Sequence, residues 1–494
     1  MILVQNHRQP SNGSKLLLLL FLFMTSFSSC ELFKKIQDDS TDEVTNVKDD
    51  ELKPIPGRRV LDPETGEYIV IEDFPVEKMD TIMWREVSTT SSPPIASSSD
   101  ISIDVNPVDV LNVDDIGSEI LSSYNVVLAL PFLGHKFDET ASELYENSLW
   151  AVNFYAGAKM ALEVLDNEGV SLNVSVLDTR ASSSYVGALL QTKNDIRNAN
   201  LIIGPYRKDN IVQMAQYAMD RDITLVSPQG ASSKITAKNP NYVQVNPTLK
   251  THCEAIMEDV LKHYDPKNIV LVTKSKPNEK ARLKYFYDAY LNSVGKEDTV
   301  MLHELIIADS ESAELKDMDL MPFIELSDTT VFIVPSWSES FVYSLLRKID
   351  DSRQEYNHIV VYGMPQWMQF DKIDYGYYEK LKVHISSAAF VDPNSDAIKQ
   401  FRKKYFTKYG ALPRQEAMQG YDIMLYFGRM IHKYGTKFQY YLPQDPAQEL
   451  LTRYEFKPVL YNNDAGVDFY QIDHFENKFL NILKFEDYQF QKAD

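Results

Sequence analysis

From Asn125 onward, short apolar runs alternate with longer segments of helical period. Asn125-Val126-Val127-Leu128-Ala129-Leu130 has the character of a buried strand and stops at Pro131, and Leu172 to Leu177 is a second such run that stops at Asp178. Between them Phe154, Ala158, Ala161, Leu162 and Leu165 recur at the spacing of one helix face. Leu201-Ile202-Ile203 ends at Gly204-Pro205 and Ile223 to Val226 ends at Ser227-Pro228, each after a helical stretch. Continuously apolar strands with helices between them predict a parallel sheet covered on both faces.

The alternation restarts with Ile269 to Val272, Met301 to Ile307, Val331 to Val334 and Ile359 to Tyr362, which predicts a second sheet. Ser386 to Phe390 with the helix Ser395 to Tyr409 reads as a further strand–helix unit, and antiparallel strands are expected at Val467 to Ile472 and Phe479 to Phe485. The predicted fold class is α/β, with two lobes, each a parallel sheet flanked by helices. Lobe 1 is expected at about 124–247 and 384–437, and lobe 2 at about 248–383 and 438–494.

The first 123 residues follow another pattern. His7, Arg8 and Lys15 form a basic lead to an apolar run, Leu16 to Met24, extended to Phe27. About a dozen helical residues at roughly 1.5 Å each fall short of a bilayer core of about 30 Å, so the run predicts a signal peptide over residues 1–29 rather than an anchor. It ends in Phe27-Ser28-Ser29-Cys30, which resembles the bacterial lipobox with Cys30 as the lipidated residue. Phe27 stands where the lipobox usually has an aliphatic residue. Glu31 follows instead of the Asp that resembles an inner-membrane retention signal in many bacteria. An outer-membrane lipoprotein of the cell envelope is therefore expected, on the periplasmic side or the surface.

Residues 30–123 read as a linker rich in acidic residues, Ser and Pro. Between 31 and 124 acidic residues exceed basic ones by 14, out of a whole-chain net charge of −21, and such runs stay solvated. Ser88 to Ser99, with Pro93-Pro94, is the plainest linker sequence, while Tyr68 to Ile71 and Thr81 to Trp84 are expected to pair as a small hairpin. The charge argues against nucleic acid as a partner. With Cys30 lipidated, Cys253 has no partner for an intramolecular disulfide.

The order of the pieces in the folded part resembles the type I periplasmic binding protein family, which includes the branched-chain amino-acid receptors of uptake systems. The resemblance runs from about Asn125 to about Leu483. It rests on Leu130-Pro131-Phe132, Phe154-Tyr155-Ala156-Gly157-Ala158, Leu201 to Pro205, Leu225 to Pro228, Tyr405 to Gly410 with Pro413, and Gly420-Tyr421-Asp422. The Phe-Tyr-Ala-Gly segment and the leader also resemble envelope lipoproteins of this fold proposed to assist cell-wall synthases. The resemblance implies a ligand gripped between two lobes, and a structural role for Asp422 near the hinge.

Physical reasoning puts the site in the same place, because ligands of open α/β sheets bind beyond the carboxyl ends of strands. The segments there supply the candidate ligand-binding residues: Arg180, Tyr206, Arg207, Gln229, Ser232, Ser233, Trp337 and Trp367. Family amino-acid receptors place small hydroxyl residues after the glycine-proline step, where this chain has Arg207 and Lys208, with forked donors suited to carboxylate or phosphate. Their second hydroxyl position falls at Ala231, beside Ser232 and Ser233, where a helix start would offer free N–H groups. Trp337 and Trp367 follow predicted strands, where an aromatic covers a ligand, plugs the interlobe surface or packs in the core.

No catalytic residues, metal ligands or cofactor are expected. The nine histidines are scattered, and the sequence lacks H-E-x-x-H, G-x-S-x-G and G-x-x-x-x-G-K-[ST]. The expected function is non-enzymatic: binding a small polar or anionic molecule, amino-acid-like ligands included, for uptake or sensing. The alternative is an adaptor or regulator of an envelope protein such as a peptidoglycan synthase. The expected partners are thus a small molecule or an envelope protein, with the membrane reached through the lipid.

Overall fold

The computed structural model describes residues 58–61, 68–71, 117–137, 144–295, 300–309, 315, 317–354, 357–461 and 471–493. The expected signal peptide, Cys30 and most of the expected linker lie outside the described residues. The chain divides into two compact units, Met1–Ile101 and Ser102–Asp494.

The first unit contains an antiparallel pair, β1 (Arg58–Leu61) and β2 (Tyr68–Ile71), with Arg58 opposite Ile71. The hairpin expected between Tyr68–Ile71 and 81–84 lies partly outside the described residues.

The second unit carries two seven-stranded sheets. In chain order its strands are β3 (Tyr124–Leu130), β4 (Leu172–Asp178), β5 (Leu201–Ile203), β6 (Thr224–Ser227) and β7 (Tyr242–Gln244). Next come β8 (Ile269–Lys274), β9 (His303–Ile307), β10 (Thr329–Ile333), β11 (His358–Gly363) and β12 (His384–Ser387). A small pair, β13 (Ala447–Gln448) and β14 (Arg453–Tyr454), precedes β15 (Phe456–Tyr461), β16 (Gln471–Asn477), β17 (Asn481–Glu486) and β18 (Gln489–Lys492). The spatial orders are β15-β16-β7-β6-β5-β3-β4 and β18-β17-β12-β11-β10-β8-β9. From β4 to β16 in the first sheet, and from β9 to β12 in the second, every pairing is parallel. The antiparallel members are confined to one side of each sheet.

Burial follows position. The central strands β5, β6 and β8 are buried throughout, as helices on both faces require, while the edge strand β4 is only half buried. Pro458 is tolerated in β15 because that strand is an edge and has a free hydrogen-bonding side.

Lobe membership differs from the sequence expectation in two places. β12 was assigned to lobe 1 and lies in the second sheet, parallel to β11. β15 and β16 were assigned to lobe 2 and lie in the first sheet, with Phe475 of β16 opposite Val243 of β7. A buried strand carries the same apolar signature in either sheet, so only pairing register assigns it. The chain therefore crosses between lobes after Gln244, after Ser387 and after Asn477.

Helix Leu149–Asn167 buries Ala151, Phe154, Gly157, Ala158, Met160, Ala161 and Leu165. Its partner is helix Gln415–Tyr434, which returns to lobe 1 after the second crossover. Cys253 is buried on helix Leu249–His263, free of a disulfide, and burial pushes its thiol far above the ordinary range.

Candidate functional site

The crossovers fix how the lobes face. β7 and β16 are parallel neighbours, so Gln244 and Asn477 end at one edge of the first sheet; Ser387 of β12 and Asn481 of the antiparallel β17 are register partners at one edge of the second. In each sheet that is the carboxyl edge of the parallel strands. The loops beyond the strand ends of both lobes therefore border a common cleft, as open α/β sheets favour.

In lobe 1 the loops are held by the chain's own groups. The Asp178 carboxylate, at the end of β4, accepts N–H bonds from Leu133 (3.1 Å), Gly134 (2.9 Å) and Arg180 (2.8 Å). Leu133, Arg180 and Ala181 all have positive φ, at 56°, 51° and 48°. Non-glycine residues in that region are costly and need such fixing. Gly204 also has positive φ, 116°, and an added Cβ would overlap the Ala129 carbonyl.

The candidate side chains then divide. The Arg180 guanidinium lies 4.1 Å from the Tyr185 ring centre, and Arg207 Nη1 donates to the Ala181 carbonyl at 3.0 Å. Arg207 also caps helix Lys208–Asp220 without a side-chain bond, so the first N–H groups of that helix lack an internal acceptor. Tyr206 is 43% exposed, and its ring stands 4.8 Å from Trp150, itself stacked 5.0 Å from buried Phe154. Gln229 is taken up internally: its Nε2 donates to Gln419 Oε1 at 3.1 Å, while Gln419 donates back to the Pro228 carbonyl. Ser232 Oγ accepts from the Lys234 N–H at 3.3 Å, and Ser233 is exposed. No helix begins there, contrary to expectation. Residues 228–241 run irregularly into the short β7, so Ser232 and Ser233 have no helix N-terminus beside them.

In lobe 2 the two tryptophans part company. Trp367 is fully buried: its Nε1 donates to the Ser336 carbonyl at 2.9 Å, and its ring occupies the space that a Cβ on Gly363 would need. It is core, and the expectation of a cleft residue is corrected. Trp337 is 46% exposed, with the Arg282 guanidinium 3.9 Å from its ring centre. Arg282 Nη1 donates to the Pro335 carbonyl at 2.7 Å, and burial lowers its pKa although Glu279 opposes this. Beside it a buried pair, Lys274 and Glu279, meets at 3.1 Å, and Glu279 Oε2 is left without a hydrogen-bond partner. Arg282 and Glu279 were not foreseen. They lie on helix Pro277–Val294, whose sequence marks only an ordinary charged helix face.

The hinge is tied by a buried polar network. Glu476 is 2% exposed; its Oε1 accepts from the Thr248 N–H and the Thr251 hydroxyl, both at 2.7 Å, and its Oε2 accepts from Lys478 Nζ at 2.6 Å. Burial pushes the Glu476 carboxyl up, but Lys478 and these donors outweigh it and hold it below the ordinary range. The first and third crossovers are thereby joined. His252 Nδ1 and Ser386 Oγ lie 2.8 Å apart and link the first crossover helix to β12.

Burial lowers the His252 pKa to about 4, against a weaker upward pull from Glu476. The unfolded chain takes up this proton near pH 6.5 and the folded one only near 4. The contribution is thus fully present above about 6.5 and lost as pH falls toward 4, by about 3 kcal/mol. Urea midpoints from pH 7 to 4 should fall less steeply for His252→Gln; parallel curves would exclude this source.

Among the described residues no His, Cys, Asp and Glu group is placed to hold a metal ion, and no helix is long and apolar enough to cross a membrane.

A family model for the receptor family ligand binding region matches residues 155–459. Among solved structures, a putative branched-chain amino acid ABC transporter protein from Rhodospirillum rubrum superposes with a TM-score of 0.54 at 14% identity, covering 74% of this chain and 99% of its own. An ABC transporter substrate-binding protein from Desulfitobacterium hafniense gives 0.51 at 14% identity, over 75% and 100%. LpoA from Haemophilus influenzae gives 0.49 at 12% identity, over 76% of this chain and 59% of that one. No curated protein sequence matches the chain. The first two likenesses show the same fold, two lobes of mostly parallel sheet flanked by helices.

Proposed function

The chain belongs to the family of receptor ligand-binding regions with the type I periplasmic binding protein fold, and from that premise we propose that it is a lipid-anchored envelope protein whose two lobes close on a small polar molecule for uptake or sensing. The observation that carries this reading is a pair of half-exposed aromatic rings, each braced from behind, at strand ends of opposite lobes. Tyr206 rests on Trp150, and Trp337 rests on Arg282. Aromatic rings held in this way contribute contact area at low cost in conformational freedom. Arg207, with the open start of helix Lys208–Asp220, adds a place for an anionic group.

Closure would be a hinge motion about the three crossovers, with the ligand binding more tightly to the closed arrangement. The test is a thermal-shift panel of amino acids, small carboxylates and phosphates on the purified chain. One class should raise the melting temperature by mass action, and Trp337→Ala or Tyr206→Ala should remove at least most of that rise. A shift that survives both substitutions would place the ligand elsewhere.

One observation favours a second reading, an adaptor of an envelope protein such as a peptidoglycan synthase. The Leu133 and Gly134 amides are already occupied by Asp178, so lobe 1 offers a ligand fewer free donors than its strand ends would suggest. An adaptor would show no shift across the panel and would copurify with its partner.

A further inference from the structure

A cavity of about 390 Å³ opens at the crossovers, and none of Tyr206, Arg207, Arg282 or Trp337 borders it. That volume falls in the range of about 300–1,000 Å³ usual for small-ligand sites. Its walls come from four pieces of chain: Phe390 and Asp392 of the second crossover, Tyr421 of helix Gln415–Tyr434, Glu449 of the β13–β14 turn, and Asn481 and Lys492 of lobe 2.

The chemistry of these walls is lopsided. Glu449 is held in place through its backbone, its N–H donating to the Thr452 carbonyl at 2.9 Å, while its carboxylate enters none of the hydrogen bonds or salt bridges among the described residues. Burial pushes that carboxyl up to about 7, and Arg429 pulls the other way. Arg429 is already committed, however, through two bonds to Glu168 at 2.9 and 2.6 Å. A half-buried acid thus borders the cavity without a counter-charge of its own. Asp392 brings a second carboxylate, and the Phe390 ring already has the ammonium of Lys492 at 5.7 Å from its centre. Lys492, itself a lining residue, occupies that face as aromatic quadrupoles favour, so an incoming ammonium would take the place of its amine there.

We propose that this cavity is a second binding site, taking a small organic cation with primary ammonium groups, with Glu449 as its counter-charge and Phe390 as its aromatic wall. The walls belong to both lobes, so an occupant would favour one lobe arrangement and be linked to the cleft.

The test is calorimetric titration of the purified full chain with putrescine, a diamine with an ammonium for each carboxylate, at about pH 8 where Glu449 is ionised. Saturable binding at one site is expected, weakened at least about tenfold by Glu449→Gln and also weakened by Phe390→Leu. Trp337→Ala should leave it unchanged. Two variants guard against one that fails to fold. Absence of saturable binding, or equal affinity in wild type and both cavity variants, overturns the proposal. So does loss of binding in Trp337→Ala alone, which would put the amine in the cleft and leave the cleft reading intact.

Discussion

Gly157→Ala should destabilise the protein by upwards of about 3 kcal/mol, against the usual sign for a glycine inside a helix. In an exposed helix interior alanine is favoured over glycine by about 1 kcal/mol. Here the added methyl would overlap the Ala417 carbonyl on helix Gln415–Tyr434. The contact is reciprocal, since a Cβ on Gly420 would overlap the Phe154 carbonyl. Two backbones are in contact through a pair of glycines, and neither carbonyl can move without breaking its own helix. Gly187 provides the control. Its Cβ would lie 2.9 Å from Gln213 Nε2, the flexible end of a side chain, so Gly187→Ala should be nearly neutral. Urea midpoints decide it: Gly157→Ala or Gly420→Ala matching wild type would show the helices free to separate.

The second large effect concerns Asp422. It is fully buried on the same helix, and its two carboxylate oxygens accept from the Leu450 N–H at 3.1 Å and the Leu451 N–H at 2.8 Å. Asp422→Ala leaves two backbone donors without acceptors in the core and should cost about 2–4 kcal/mol. The sequence suggested a structural role near the hinge, and these bonds hold the β13–β14 turn that presents Glu449. Burial pushes the Asp422 carboxyl well above its ordinary range, more than the two N–H donors lower it. The sign follows: the unfolded chain releases this proton near pH 4, whereas the folded chain retains it to higher pH. Wild type should therefore lose stability relative to Asp422→Asn as pH rises from about 4 toward neutrality. A stability difference independent of pH would mean that the carboxyl titrates normally.

The strands and helices of the two lobes were readable because parallel strands buried on both faces are apolar throughout and their connecting helices keep a regular face. β7 escaped because three residues after Asn239-Pro240-Asn241 give no periodicity, and β15 because Pro458 argues against a strand away from an edge. Lobe membership was illegible for β12 and β16, since pairing partners decide it and these are distant in sequence. Within the candidate site, position after a strand drew attention to Tyr206, Arg207 and Trp337, which the structure places at strand ends with Tyr206 and Trp337 half-exposed. It misplaced Trp367, because two tryptophans at equivalent strand ends differ only in whether a glycine, here Gly363, makes room for the ring in the core. Arg282 and Glu279 could not be singled out, because their importance comes from burial beside Trp337 rather than from spacing. Gly157 and Gly420 stood out as parts of motifs, yet their purpose lies in a contact between distant segments.

The late return of the chain to lobe 1 has a consequence for synthesis. β16 is the strand that covers the open flank of β7, and it follows nearly the whole of lobe 2 in the chain. Until it leaves the ribosome, the amino-terminal sheet has an unsatisfied edge ready to pair with any extended segment nearby. Neither half can mature ahead of the other as a finished domain. Release of the segment from Gln471 onward completes both together, and a chain truncated before Gln471 should aggregate rather than persist as one folded lobe.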